Sequence, residues 1–246
     1  MDTLAIISDI HGNIPALEAV LADIRSRKVQ SIICLGDLAG KGPESSEAVD
    51  LIRETCDVVI QGNWDDFISD ATDYSTLQWH QDQLGEERMA YLKSLPFHHD
   101  FWISGKRVRL FHASAKSVHH RVQPSHSEEE RLAMFDNTDQ TDNLFDGQTP
   151  NVVGYADIHS AYLQHPDFRT LFNVGSVGNP LDIPESSYVL MSGNYGETSP
   201  APFSIEFVRV AYDIEESIRR AREVEMPELQ PYIHELRTAV YRGQQG

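Results

Sequence analysis

The chain has 246 residues, 40% hydrophobic and 24% charged, an ordinary balance for a globular protein able to bury a sizeable core. Its 20 basic and 38 acidic residues give a net charge of −18, which argues against holding a nucleic-acid backbone through clustered cations. A phosphate-bearing small molecule stays open, because bound metal ions invert the local field.

No apolar run reaches the roughly 18 residues of a membrane span. The N-terminus lacks a basic region followed by an apolar one, so a reducing cytoplasm is the expected setting. Cys34 and Cys56 lie in or beside apolar runs and read as small buried residues, and nothing demands a disulfide between them.

In chain order, residues 4–9 (LAIISD) read as a buried strand. Residues 14–27 place apolar side chains at 14, 17, 20, 21 and 24, the spacing of an amphipathic helix. Residues 31–37 read as a second strand, and residues 46–55 as a helix capped by Ser45 or Ser46. Residues 57–63 read as a third strand. This alternation predicts parallel strands packed on helices. A helical stretch over about 74–95 follows, then a β-hairpin over 101–114 turning at Ser104 and Gly105. Segments beginning at Asn151, Thr170, Ser187 and Phe203 are four more strand-like runs. Residues 115–150 are polar, with a helix predicted around Ser127–Phe135, and read equally as a lid or cap and as a plain surface insertion. Terminal helices are predicted over about 214–242, broken near Pro227 and Pro231, covering a sheet edge or mediating self-association. The whole reads as a single α/β domain, an αββα sandwich of two mixed sheets flanked by helices.

Polar groups recur at the strand ends. The first run ends in Asp9-Ile10-His11, the second in Gly36-Asp37 and the third in Gly62-Asn63. Later runs end at His112 and at Asp157-Ile158-His159. Ligands bind at the carboxyl ends of strands in open α/β sheets, so these groups are expected to meet in one crevice. Carboxylates pressed together are costly, and divalent cations relieve that cost. Mixed oxygen and nitrogen ligands suit Mn, Fe or Zn better than Ca. Each group alone has an ordinary reading: Asp9 as a helix cap, Asp37 and Asn63 as turn residues, His112 as a satisfied core or surface histidine. Their common position is the informative feature.

These blocks resemble the calcineurin-like metallophosphoesterase family, whose pattern is D-x-H…G-D…G-N-[HDCW]…H…G-H-x-H. The resemblance runs from residue 4 to about 190. The segment 172–182 (FNVGSVGNPLD) also resembles the N-x-G-S-x-G-x-P segment of the small prokaryotic branch. It implies an αββα sandwich with a two-metal site. By that resemblance, Asp9, His11 and His159 hold one ion, Asp37 bridges, and Asn63, His112 and Asp157 hold the second. Asp37, Asn63 and His112 are also the implied catalytic residues. The implied chemistry is attack of a metal-bridging hydroxide on a phosphodiester or phosphoanhydride, with dinucleoside polyphosphates among the candidate substrates. Mn or Fe is favoured as the cofactor, with Zn or Mg as alternatives.

The sequence departs from the pattern twice. Trp64 stands where the family often has a His that serves as general acid or substrate contact, and Trp has no proton to donate at a useful pKa. This favours activated diesters or anhydrides, with Trp64 either stacking on a base or aryl ring or packing on a neighbouring loop. Asp65 or Asp66 is a substitute acid. Asp157 replaces the first His of G-H-x-H and either ligates or leaves the second ion weakly held. Arg107, Arg109, His119, His120 and Arg121 are candidates to reach a second phosphate, with Arg121 and His119 carried as substrate contacts. Asn173 or Ser176 is expected to support a ligand His. The alternative functions are a phosphomonoesterase or protein phosphatase, and a catalytically weak metal-binding scaffold.

Overall fold

The structure, a computed structural model, describes residues 1–141 and 144–244. Strand β1 (Asp2–Ile7) shows how the layers arise. Side chains alternate across a strand. Leu4 and Ile6 therefore face one apolar cluster, and Ala5 and Ile7 face another. Helix α1 (Ile14–Ser26) buries Leu17, Val20, Leu21 and Ile24 against the second cluster. Asn13, not Asp9, caps this helix, accepting the Ala16 N–H.

Strand β2 (Ser31–Cys34) lies parallel to β1. Helix α2 (Ser45–Thr55) follows Glu44, which makes no side-chain cap. The expected Ser45 cap is absent because its hydroxyl instead takes the Gly40 N–H and faces His80. Strand β3 (Val58–Val59) is short, and Asn63 opens a separate helix α3 (Asn63–Phe67). Helix α4 (Ser75–Lys93) completes the layer.

The predicted hairpin is present as β4 (His98–Ile103) and β5 (Lys106–Phe111), turning at Ser104 and Gly105. After α5 (Glu128–Leu132) come β6 (Val152–Tyr155), β7 (Tyr162–Gln164), β8 (Thr170–Asn173), β9 (Ser186–Gly193) and β10 (Ser204–Val210). Helices α6 (Ile214–Glu223) and α7 (Leu229–Thr238) follow. Pro227 separates them as expected. Pro231 does not break α7, because it sits in the first turn, where its missing N–H has no intrahelical partner to lose.

Two mixed five-stranded sheets result, ordered β10-β9-β1-β2-β3 and β4-β5-β6-β8-β7. Leu4, Ile6, Ile33 and Leu35 of the first pack against Val108, Leu110, Val152 and Phe172 of the second. The outer face of the second sheet is covered by Val122, Met134 and Phe135, packed on Phe111, Val153, Tyr155 and Leu171. The polar segment after residue 115 thus supplies an outer layer instead of lying loose on the surface. Arg109 ties it down: the guanidinium is buried in a bidentate pair with Asp100 at 2.8 and 2.7 Å and reaches Asp136 O and the Asn137 side chain. Arg107 reaches the Thr149 carbonyl. Both arginines are therefore structural and not the phosphate contacts the sequence suggested. Helix α6 packs on α1 and α7 packs on α6, so the terminal helices join the helical layer instead of a free sheet edge. Cys34 and Cys56 are free thiols packed in the helix-side core.

The parallel β1–β2–β3 arrangement carries Asp9, Asp37 and Asn63 to the same end of the first sheet. Gly36 lets the last two approach. Its φ is 94°, and a Cβ there would lie 2.3 Å from the Gly62 backbone nitrogen. Gly36→Ala is expected to cost about 3 kcal/mol or more through left-handed strain and backbone clash. Thermal unfolding should show a fall in Tm of about 6–12 °C.

Candidate active site

Three imidazoles and two carboxylates converge where these strand ends meet. Asp9 and His11 follow β1, Asp37 follows β2, His112 follows β5 and His159 follows β6. All five are at most 3% exposed. Asp9, His11, Asp37 and His159 all hold positive φ, between 48° and 57°. Left-handed backbone is uncommon for side chains other than Gly, and such strain concentrates at functional sites.

Each imidazole is oriented from behind. His11 Nδ1 faces Ala39 O at 3.2 Å, His112 Nδ1 faces Leu35 O at 2.7 Å and His159 Nδ1 faces Asn179 O at 2.5 Å. A carbonyl only accepts, so each Nδ1 carries a proton, and each imidazole in its neutral form turns an Nε2 lone pair inward, the arrangement of metal-ligating histidines. The Nε2 atoms of His11 and His159 lie 3.3 Å apart. Two inward lone pairs at that distance repel unless a cation or a proton lies between them.

The carboxylates meet the same need. Asp9 is fully buried, yet neither of its oxygens receives a hydrogen bond among the described residues. His159 Nε2 stands 3.2 Å from Asp9 Oδ1. Asp37 spans the site: Oδ2 is 3.5 Å from His11 Nε2, and Oδ1 is 3.5 Å from His112 Nε2. Asn63 Oδ1 lies 3.0 Å from His112 Nε2. Among the described residues the potential ligand atoms fall into two groups, Asp9–His11–His159 and Asp9–Asp37–His112, each with all its atoms within 4.8 Å of one another.

In the protein alone the charges are unbalanced. Burial, together with the Asp9 and Asp65 carboxylates, pushes Asp37 well above the usual range. Burial opposes ionisation of Asp9, but His159, His112 and Lys41 hold its carboxyl below the ordinary value. Burial disfavours protonated His112, yet Asp37 and Asp9 raise it to about 9. Burial and the nearby Lys41 and His159 drive His11 well below its normal value. One carboxylate is pushed up and the other down, as for acids that cannot both ionise without a countercharge. A donor set of carboxylate oxygens, an amide oxygen and imidazole nitrogens fits divalent or trivalent cations of the Mn, Fe and Zn type.

The surrounding loops hold the frame. Asp65 is fully buried and accepts three backbone N–H groups, from Asp37, Leu38 and Gly62, at 2.7, 3.0 and 2.9 Å. It clamps the Asp37 loop to the Gly62–Asn63 turn from a buried position outside the cavity lining. Asp66 is held by Lys93 and by His119 at 2.9 and 2.8 Å. Below the site, Ser176 donates to Asp9 O, and Gly178 N–H does the same. Asn173 donates to Ala156 O. Neither Asn173 nor Ser176 is hydrogen-bonded to one of the three imidazoles; the carbonyl behind His159 belongs to Asn179.

A cavity of about 620 Å³ opens beside this centre, lined by Lys41, Trp64, Tyr74, Arg121, Tyr241 and Arg242 among others. Trp64 both packs and faces the cavity. Its ring lies edge-to-face on His11 at 5.7 Å and fills the place a Gly40 side chain would need. Its backbone N–H donates to Asp37 Oδ1 at 2.8 Å.

Three expectations change. Both oxygens of Asp157 are taken by Arg121, at 2.8 and 2.7 Å, and Asp157 belongs to neither ligand group. The guanidinium neutralises it, which removes the charge that made it a candidate ligand. His119 does not line the cavity, because Asp66 holds it. His120 faces Ser114. Arg121 does reach the cavity wall. Lys41, Asn179, Glu235 and Arg242 were not singled out as site residues from sequence. Of these only Lys41 carried a signal, as a lone cation between two glycines directly after the Asp37 strand end.

A family profile described as the calcineurin-like phosphoesterase superfamily domain matches residues 3–194. The chain is 32% identical to "Uncharacterized protein MJ0912" of Methanocaldococcus jannaschii, over 92% of this chain and 94% of that one. Its fold is similar to that of a metallophosphoesterase from Sphaerobacter thermophilus, with TM-score 0.72 and 24% identity over 97% of this chain and 99% of the other. It is also similar to hypothetical protein PH1004 from Pyrococcus horikoshii OT3, with TM-score 0.75 and 20% identity over 98% of this chain and all of the other (100%). The chain belongs to the calcineurin-like phosphoesterase superfamily.

Proposed function

We propose that the protein is a metal-dependent hydrolase of phosphodiester or phosphoanhydride bonds in a small-molecule or nucleotide substrate. The observation that carries this reading is the fully buried Asp9 carboxylate, without a hydrogen bond among the described residues, faced by imidazoles whose Nδ1 atoms are tied to carbonyls and whose Nε2 atoms point inward. Asp9, His11 and His159 would hold one cation, and Asn63 and His112 a second. Asp37 would serve both, since its two oxygens point to His11 and His112. When bound, such a pair supplies a nucleophile at neutral pH and neutralises phosphoryl charge. Asp157 is assigned to holding Arg121 at the rim, not to a metal.

The remaining roles fall to the chain's own side chains. Lys41, on the cavity wall beside His159, offers an ammonium to a phosphoryl oxygen. The carbonyls of Ala39, Leu35 and Asn179 keep the Nδ1 protons in place, so the imidazoles do not rotate away. Trp64 excludes water from the His11 side and brings no transferable proton. Asp65 is locked in its clamp, and Asp66 is paired outside the cavity lining. Good leaving groups are therefore favoured over alkoxides, because only the latter need protonation as they depart. Mn or Fe is the preferred cation, and dinucleoside polyphosphates are one substrate class that satisfies the leaving-group condition.

The direct test strips metal with chelator, restores Mn²⁺, and compares bis-(p-nitrophenyl) phosphate with p-nitrophenyl phosphate. Metal-restored diester cleavage faster than monoester cleavage is the expected result; no restored turnover on either substrate overturns the reading. Asp37→Asn should bind less metal by elemental analysis and lose on the order of a hundredfold in kcat, equivalent to about 3 kcal/mol. Trp64→His should raise turnover of an alkyl monoester relative to the diester by about tenfold or more, measured as a ratio of kcat/KM values. An unchanged ratio would remove Trp64 from the specificity argument.

A further inference from the structure

We propose that Glu235 of α7 is a positioning residue of this centre, holding Lys41 through Asn179 and Arg242 directly, so that both cations face the cavity. The proposal rests on the phosphoesterase reading for the identity of the anion those cations meet. Glu235 lies outside residues 3–194, the span of the family match.

The side chain of Glu235 is fully buried. Its Oε1 accepts Arg242 Nε at 2.8 Å and the Arg242 backbone N–H at 3.0 Å. Its Oε2 accepts a second Arg242 guanidinium nitrogen at 2.7 Å and Asn179 Nδ2 at 3.3 Å. Asn179 Oδ1 in turn accepts Lys41 Nζ at 3.1 Å. The amide of Asn179 can face only one way here. Its donor must meet the carboxylate and its acceptor the ammonium, so the charges on either side fix the flip. The same residue gives its carbonyl to His159 Nδ1, and its N–H goes to Ser176 Oγ at 2.9 Å. Asn179 therefore joins α7, Lys41 and a ligand imidazole in one hydrogen-bonded unit.

Helix docking does not require this carboxylate. Tyr232, Ile233 and Leu236 of α7 already bury apolar surface with Ile218 and Ala221 of α6. A buried ion pair is often no better for stability than apolar residues of the same volume. What the carboxylate achieves is placement. Lys41 sits on a loop, with positive φ of 59°, and is drawn toward both Glu235 and the metal-site carboxylates Asp37 and Asp9. Without an anchor on the α7 side, its ammonium would collapse onto Asp9 and Asp37 and compete with a cation there. With the anchor, it stands at the cavity wall. Arg242 is held on the same wall by Glu235 and by Glu228, the latter at 2.8 Å.

The test is a double-mutant cycle on inorganic phosphate affinity, measured by calorimetry with Mn²⁺-loaded protein. Glu235→Gln should weaken phosphate binding by about tenfold while metal content stays at the wild-type level, and should raise KM more than it lowers kcat. In a background that already lacks both cations, Lys41→Met with Arg242→Gln, Glu235→Gln should weaken phosphate binding no further. A further loss in that background would show a merely structural role and overturn the proposal, as would wild-type affinity in Glu235→Gln. If Glu235→Gln fails to fold, Glu235→Asp, which keeps the charge but withdraws the carboxylate from Asn179 and Arg242, is put through the same cycle. Failure of the wild-type protein to bind phosphate would defeat the phosphoesterase reading and this assignment together. Wild-type binding with an unaffected Glu235→Gln would defeat this assignment alone.

Discussion

The arrangement depends on one electrostatic constraint: Asp9 and Asp37 are buried together, with the Nε2 atoms of three imidazoles turned toward them. Burial of one uncompensated carboxylate is costly, and two side by side are worse. The protein does not relieve the cost with hydrogen bonds to Asp9, although serine, asparagine and backbone donors are all nearby. It uses them instead on the backbone of the same loop, with Ser176 and Gly178 on Asp9 O. The loops are held so that the carboxylates are kept exposed to each other. A cation is the simplest group that turns this from a liability into a stable site.

The rest of the centre follows from keeping that geometry rigid. Parallel pairing of β1 with β2 and of β2 with β3 brings the strand ends side by side. The sandwich then adds His112 and His159 from the facing sheet. Asp65 clamps the Asp37 loop to the start of α3 through three N–H groups. Trp64, pressed over Gly40, closes the flank next to His11. Left-handed backbone at four of the five converging residues is the strain these clamps sustain.

Net charge and local charge point in opposite directions. The protein carries −18 overall, yet the cavity wall presents Lys41, Arg121 and Arg242. Each is paired with an acid or an amide: Asp157 for Arg121, Glu235 and Glu228 for Arg242, and Asn179 for Lys41. Such pairing holds long cationic side chains in place without removing their field at the cavity, and Arg retains donors beyond those its partner uses. An acidic protein can thus present a locally cationic pocket to a phosphate.

The sequence by itself determined the local elements and the residue types at their ends. Alternating strands and helices were legible because period 2 and period 3.6 patterns are written within short windows. Asp9, His11, Asp37, Asn63, His112 and His159 stood out because they recur at strand ends, and parallel strands share one crevice. Residues 115–150 were ambiguous because their few apolar anchors, Val122, Met134 and Phe135, are scattered among polar neighbours. Only the tertiary structure decided that Asp157 pairs with Arg121, that Arg109 is buried on Asp100, and that Asn179 supports His159. It alone brought Lys41 together with Glu235, 194 positions away. Those contacts join residues far apart in the chain, and no periodicity or spacing records which partner a charge will meet once the layers close.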